Sequence, residues 1–277
     1  MHVKYNDNPL NIYKFNNVEL GIIEQEKDLG VLTCSSLQWD ENIKACIAKA
    51  NRNIAWVTRN LILREKGIML NIFKTIIRPH LEYCTQLWSP VAGHGNWASI
   101  IELERVQRRF TRLIDGIGTL PYSQRLEKLK LTTLAERRIR GDLIETFKIV
   151  NGLVNYGGTL FNVGRSGGNL LSRPSSSGSV SVKKLINSFL PERVIKYWNK
   201  LPNYVKHSSS VHDFKVNLDL FKNECKLSDT GNYWEVSEVI ISKIEGESYV
   251  KNSLRIFVIN SPINHKNWID LRTCVKN

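Results

Sequence analysis

Residues 100–115 read Ile100-Ile101-Glu102-Leu103-Glu104-Arg105-Val106-Gln107-Arg108-Arg109-Phe110-Thr111-Arg112-Leu113-Ile114-Asp115, and this stretch decides how the chain is read. Wound at about 100° per residue, Leu103, Val106, Phe110, Leu113 and Ile114 fall on one side of a helix. Arg105, Arg108, Arg109 and Arg112 fall within a similar arc on nearly the opposite side. One face asks for a core. The other carries four guanidinium groups, whose planar forks match phosphate geometry.

Helical periodicity extends in both directions from here. Upstream, Ile43, Ile47, Ala50, Ile54 and Val57 predict a helix capped by Ser36 or Asp40. A second helix follows through Ile68, Ile72, Phe73, Ile76 and Ile77, interrupted or kinked by Pro79. Ser89-Pro90 through Gly95 reads as a loop. Downstream, Gly116 and Gly118 end the central helix, and Leu120-Pro121-Tyr122 opens a short one around Arg125, Leu126, Lys128 and Leu129. Ile139, Leu143, Phe147 and Val150 stripe a further helix over about residues 133–150, with Arg137 and Arg138 pointing away from the stripe.

The ends of the chain differ from this middle. In residues 1–35, Asn16-Asn17 between Tyr13-Lys14-Phe15 and Val18-Glu19-Leu20 is a hairpin signal, because Asn tolerates positive φ. Leu29-Gly30-Val31-Leu32 predicts a third strand. Residues 153–182 are rich in Gly, Ser and Asn and read as a linker. Residues 183–223 regain amphipathic character through Phe189, Val194, Ile195, Trp198 and Leu201, then Phe214, Leu218 and Phe221. Residues 224–277 lack a clear period, although 236–241 and 254–259 are compatible with strands. The predicted class is mainly α: a small N-terminal β unit, a helical bundle over 36–152, an irregular linker, short helices and an unassigned tail.

Charge follows the same division. The chain has 277 residues and a formal charge of +13. Residues 1–43 are net −4, 44–150 net +10, 151–223 net +7, and 224–277 neutral. A basic middle with acidic or neutral flanks is what a polyanion-binding module shows. The five cysteines are dispersed and never in Cys-x-x-Cys spacing, which argues against a disulfide framework and a zinc site. There is no run of about 18 apolar residues and no signal-peptide core. The expected setting is intracellular, nuclear or cytoplasmic, with no membrane partner.

Catalytic constellations are missing. The sequence has no Asp-Asp pair for a two-metal centre, no phosphate-cradling Gly-x-x-x-x-Gly-Lys-Ser/Thr loop and no His-Glu-x-x-His. His80, beside Pro79, reads as a structural residue at the kink rather than a general base. Between residues 105 and 140 only Asp115, Glu127 and Glu136 oppose ten Lys and Arg. Some of these cations are expected in solvated pairs such as Glu104–Arg108 at i, i+4. The remainder favour phosphate contact. Tyr83, Trp88 and Trp97 read as core rather than base-stacking platforms.

The ordered blocks Lys27-Asp28-Leu29-Gly30-Val31, Arg78-Pro79-His80-Leu81-Glu82-Tyr83, Trp88-Ser89-Pro90 and Leu103-Glu104-Arg105-Val106-Gln107-Arg108-Arg109-Phe110 carry a resemblance. So do Leu120-Pro121-Tyr122, Leu131-Thr132-Thr133-Leu134, Glu136-Arg137-Arg138, Gly141-Asp142-Leu143-Ile144, Trp198-Asn199-Lys200-Leu201-Pro202 and Ser209-Ser210-Val211. Together, over about residues 1–223, they resemble the C-terminal part of reverse transcriptases from jockey-like non-LTR retrotransposons (LINE elements). The resemblance implies that residues 1–35 correspond to the end of the palm near the primer grip. It implies that 36–152 correspond to the thumb, which holds the template–primer duplex. The palm's Tyr/Phe-Ala-Asp-Asp motif is absent, and with it the ligands for the magnesium those enzymes use.

The expectation is therefore a non-catalytic remnant of an RNA-directed DNA polymerase, without a cofactor. It is expected to bind nucleic-acid duplex regardless of sequence through Arg105, Arg108, Arg109, Arg112, Arg137, Arg138, Lys44 and Lys49. Apolar surface that would meet a palm is expected to promote self-association. Two alternatives stand beside it. The chain is a fragment of an incomplete reading frame whose intact product polymerises DNA, or it is a protein-interaction module with no nucleic-acid role.

Overall fold

The computed structural model describes residues 13–21, 23–90, 97–154, 160–164, 168–171, 189–227 and 239–246. It is mainly helical with small antiparallel strand pairs, as the periodicity predicts. Two hairpins open the chain. Strands β1 (Lys14–Phe15) and β2 (Val18–Glu19) pair across Asn16 and Asn17, both at positive φ. Strands β3 (Gln25–Asp28) and β4 (Val31–Cys34) pair across Leu29 and Gly30, at φ 45° and 88°. Leu29 and Gly30 are thus the turn and not the start of a third strand. Two consecutive positive-φ residues give the tight turn whose twist suits a hairpin.

Helix α1 (Asp40–Asn60) begins on Trp39, so Asp40 lies in its first turn instead of capping it. Asn42 ties it to the hairpin by accepting the Leu32 N–H at 3.0 Å. The second predicted helix is divided into α2 (Lys66–Ile72), a π turn (Phe73–Ile77) and α3 (Arg78–Glu82). Pro79 explains the division. Its ring would crowd the carbonyl four residues back and it has no N–H to donate. Widening the preceding turn, with the Arg78 N–H bonded to the Phe73 carbonyl, relieves that conflict. Asn53 donates to the Ile76 carbonyl of this turn at 3.3 Å.

After the short α4 (Thr85–Trp88) comes the arginine-bearing α5 (Trp97–Thr111). It lies beside α1 in the same direction: Ser99 donates to Asp40 near both N-terminal ends, and the backbones of Asp115 and Arg64 meet just beyond the other ends. The helix stops at Thr111. Gly118 then approaches so closely that a Cβ there would lie 2.4 Å from the Arg112 carbonyl oxygen, so this reversal requires glycine. Helix α6 (Tyr122–Leu129) and helix α7 (Leu134–Val150) follow, the latter capped by Thr133 Oγ1 accepting the Glu136 N–H.

Three apolar clusters organise these elements. The first joins α1, the π turn, α3 and α5, and includes a Phe73–Phe110 stack at 5.2 Å. The second surrounds the C-terminal half of α7 with α8 (Leu190–Trp198), α9 (Asn203–Lys206) and α10 (Val211–Leu227). There Phe147 stacks on Phe214 at 4.4 Å and Trp198 lies 6.0 Å from Phe214. Fully burying a side chain such as Phe stabilises by roughly 1.5–3 kcal/mol. Helix α7 therefore runs out of the first core and into the second.

Two expectations for the chain's irregular parts change. The described residues within 153–182 include a hairpin of β5 (Asn162–Val163) and β6 (Leu170–Leu171), with Phe161 and Leu170 buried in the second core. Asn199 acts as a strand partner for Leu170, accepting its N–H at 2.8 Å and donating to its carbonyl at 2.9 Å. In the tail, residues 239–246 form a helix, α11, where the pattern suggested a strand over 236–241. Ile240 and Ile244, four apart, are fully buried against Ile100, Tyr122, Leu126 and Ala135 in the third cluster. The possible strand at 254–259 lies outside the described residues.

Candidate nucleic-acid interface

The arginine face of α5 survives in part. Arg105 and Arg109 of α5 and Arg112, in the turn just past its end at Thr111, are exposed and follow one another at i, i+4 and i+7. Arg108 is half-buried and lies off the stripe. Glu102 continues the stripe toward the N-terminus, so its cationic character belongs to the last two turns. The opposite face is more polar than its periodicity suggested: Glu104, Gln107 and Thr111 are all fully buried beside Leu103, Val106 and Phe110.

Arg125, 1% exposed, lies beneath the C-terminal end of this stripe. Its guanidinium stacks over the Tyr122 ring at 5.3 Å and donates from Nη1 to the Arg108 carbonyl at 2.9 Å and to Thr111 Oγ1 at 2.8 Å. A cation on the last carbonyls of a helix satisfies its terminal acceptors and its dipole. Burial lowers its pKa to about 10, and the charges of Arg112 and Arg108 add to that. Several guanidinium groups are therefore close enough to repel one another. An anion placed among them would be stabilised.

Helix α7 overturns two expected contacts. Arg138 is 3% exposed and faces the interior, so it contacts no external ligand. Burial lowers its pKa to about 10 while Glu104, Asp142 and Glu82 hold it charged. Arg137 is half-buried and forms an ion pair with Glu82, donating from Nη2 to Oε2 at 3.2 Å in addition to the shorter Nε–Oε1 contact. Both residues do point away from the Ile139–Leu143–Phe147 stripe. That side of α7 is covered too, by α3, α5 and α8, and hence is no solvated face.

The predicted Glu104–Arg108 surface pair gives way to a buried cluster. Glu104 accepts the Leu134 N–H at 2.8 Å and a close hydrogen bond from the Tyr122 hydroxyl. Burial raises the Glu104 carboxyl above its ordinary value and pushes the Tyr122 phenol well up. Nearby, Arg193 of α8 grips Asp142 of α7 with both arms, Nη2–Oδ1 at 2.7 Å and Nε–Oδ2 at 2.8 Å. Its Nη2 also reaches the carbonyls of Thr85 and Gln86 at 3.1 and 2.8 Å. Sequence reasoning missed this clamp, since Arg193 and Asp142 lie 51 positions apart. It is a structural joint between the two cores.

The two lysines assigned to the interface are exposed but lie on different sides of α1. Lys44 pairs with Glu41 at 2.7 Å and senses Glu102 on the α5 side. Lys49 is near His80 on the α3 side, where burial first, then Lys49 and Arg52, lower the His80 pKa. Trp88 is buried with its Nε1 donating to the Tyr83 carbonyl at 2.8 Å, and the exposed Tyr83 ring donates its hydroxyl to the Leu29 carbonyl at 2.9 Å. Trp97 is half-buried beneath Lys243 at 5.5 Å.

Among the described residues, no group of three or more His, Cys, Asp or Glu side chains is arranged to hold a metal ion. Among them no helix is long and apolar enough to cross a membrane. Of the expected contact residues, Arg105, Arg109 and Arg112 remain together as an exposed cationic row, with Arg108 half-buried beside them. No family model, no curated protein and no solved structure matches the chain.

Proposed function

We propose that this chain binds the sugar–phosphate backbone of duplex nucleic acid through the exposed arginine stripe of α5, without regard to sequence and without catalysing bond chemistry. In this reading it is a non-catalytic remnant resembling the thumb of a jockey-like reverse transcriptase. The observation that carries the proposal is the exposure of Arg105 and Arg109 on one line of a helix whose other side is anchored in a core, with Arg112 exposed in the turn that follows. Phosphate contacts made from a rigid helix fix position but carry no sequence information.

Three neutralised phosphates give a log–log salt slope of about −2.7 on duplex, so affinity should fall roughly 40-fold between 50 and 200 mM salt. Fluorescence anisotropy of two labelled duplexes of unrelated sequence tests this. Equal affinities with that loss support the proposal, and no binding at 50 mM salt contradicts it.

A second reading concerns the hairpins. Tyr13, Phe15, Val18 and Leu20 are 53–69% exposed, and Leu29 is 85% exposed. Neighbouring apolar side chains left open to water favour association. Self-association through this β unit is the corresponding proposal, compatible with duplex binding on α5.

A further inference from the structure

The outward face of α1 carries a second row of cations, and this one has an aromatic ring within it. From Asn42 to Arg64 the chain has five Lys and Arg and no Asp or Glu. At 100° per residue, Lys49, Arg52, Trp56 and Arg59 fall within an arc of about 80°. That arc lies opposite Ile43, Ala50, Ile54 and Val57, which enter the first core. All four outward residues are exposed, Trp56 to 57%. Arg52 and Arg59 stand roughly 10 Å apart along the helix axis, with Trp56 between them.

Cations elsewhere on the helices find carboxylates: Arg140 reaches Asp219 at 2.8 Å, and Lys148 reaches Glu145 at 3.0 Å. Among the described residues, Lys49, Arg52 and Arg59 make no ion pair and no side-chain hydrogen bond, and no other ring stacks on Trp56. The row is nevertheless held firmly, since Asn53 ties the flank of α1 to the π turn through the Ile76 carbonyl. Unpaired cations around an open indole suit a polyanion that also presents flat apolar units. Single-stranded nucleic acid is such a ligand, because its base faces are free to stack. A duplex keeps those faces inside. A membrane-surface helix lays a broad apolar face into the lipid, and α1 has turned its own into the core.

We propose that the outward face of α1 is a docking line for single-stranded nucleic acid, with Trp56 stacked on one unpaired base and Lys49, Arg52 and Arg59 on the flanking phosphates. The ligand and the helix both differ from those of the duplex proposal, and either can fail without the other. Stacking on the indole is tolerant of sequence, because every base has a π face. Trp56 therefore contributes wherever an unpaired base is present and contributes nothing to a fully paired duplex. The three cations contribute through charge, in a salt-dependent way.

The test uses the full chain with a labelled oligothymidylate of about 15 nucleotides and an abasic oligomer of equal length and charge, at 50 mM salt. The wild type should bind the intact strand at least about fivefold more tightly than the abasic one. Trp56→Ala should lose that preference, Trp56→Phe should keep part of it, and duplex affinity should stay within about twofold for both. Arg52→Gln with Arg59→Gln should flatten the single-strand salt slope by roughly 1.4. Equal wild-type binding of intact and abasic strands overturns the proposal, as does a preference that survives Trp56→Ala. So does an absence of oligonucleotide binding, including the case where the wild type instead binds phosphatidylserine–phosphatidylcholine vesicles in a Trp56-dependent way. Duplex binding with its own salt slope, measured in parallel, decides the α5 proposal separately.

Discussion

Glu104 lies in the middle of the most basic helix of the chain, and its surroundings are all donors. The Tyr122 hydroxyl, the Leu134 N–H and the Gln107 amide, the last at 3.3 Å, converge on its carboxylate. A glutamine there would turn one acceptor into a donor facing donors, at a cost of about 1–3 kcal/mol. Because burial raises the Glu104 pKa above 4.5, its contribution to stability is full below that value and is lost as pH rises through the raised one. Urea unfolding should therefore show Glu104→Gln less stable than the wild type, with the gap narrowing from pH 4.5 to pH 8. A gap that widens with pH contradicts this account. Sequence could not supply this reading. With Arg108 one turn away, Glu104 has the spacing of a solvated ion pair. Only the packing of α6 and α7 over that side of α5 turns it inward.

The elements themselves were legible where their signal is local. The apolar stripes of α1, α5 and α7, the break at Pro79 and the Asn16–Asn17 turn each depend on a few neighbouring residues, and each is present. Helix α11 shows how a local signal misleads. The β-branched run around Val239, Ile240 and Ile241 favours a strand, whereas Ile240 and Ile244 at i, i+4 match a hydrophobic patch contributed by α5, α6 and α7. Arg137 and Arg138 failed for a related reason. A helix that crosses from one core to the next is covered on several sides, and single-helix periodicity shows one side. Arg138 now reads as the counter-charge of Glu104 and Asp142 at the joint of α5, α7 and α8. None of its three guanidinium nitrogens makes a hydrogen bond, so it balances those carboxylates by charge alone, and Arg138→Ala should destabilise the protein by about 1–3 kcal/mol. Chemical denaturation measures it, and a cost below 1 kcal/mol would remove Arg138 from that role.

At the scale of the whole molecule, the opening hairpin gathers several exposed apolar side chains away from α5. The cationic stripe occupies α5, while the exposed apolar residues of β1 and β2 lie in the opening hairpin. If those residues are an association surface, light scattering should show mass rising with concentration, and Phe15→Ser with Val18→Ser should abolish the rise. A strictly monomeric wild type across the micromolar range would exclude it. The basic middle of the sequence was visible from composition alone. Composition did not show that part of that charge is spent inside, in Arg138 and Arg193, while Arg105, Arg109 and Arg112 stay exposed.

The central claim is that these three side chains, rather than overall positive charge, grip the duplex. Salt titration of duplex binding by the wild type and by the Arg105→Gln, Arg109→Gln, Arg112→Gln triple variant measures it directly. The account predicts log–log slopes that differ by about 2.7, with the variant nearly flat. Coinciding slopes would contradict it.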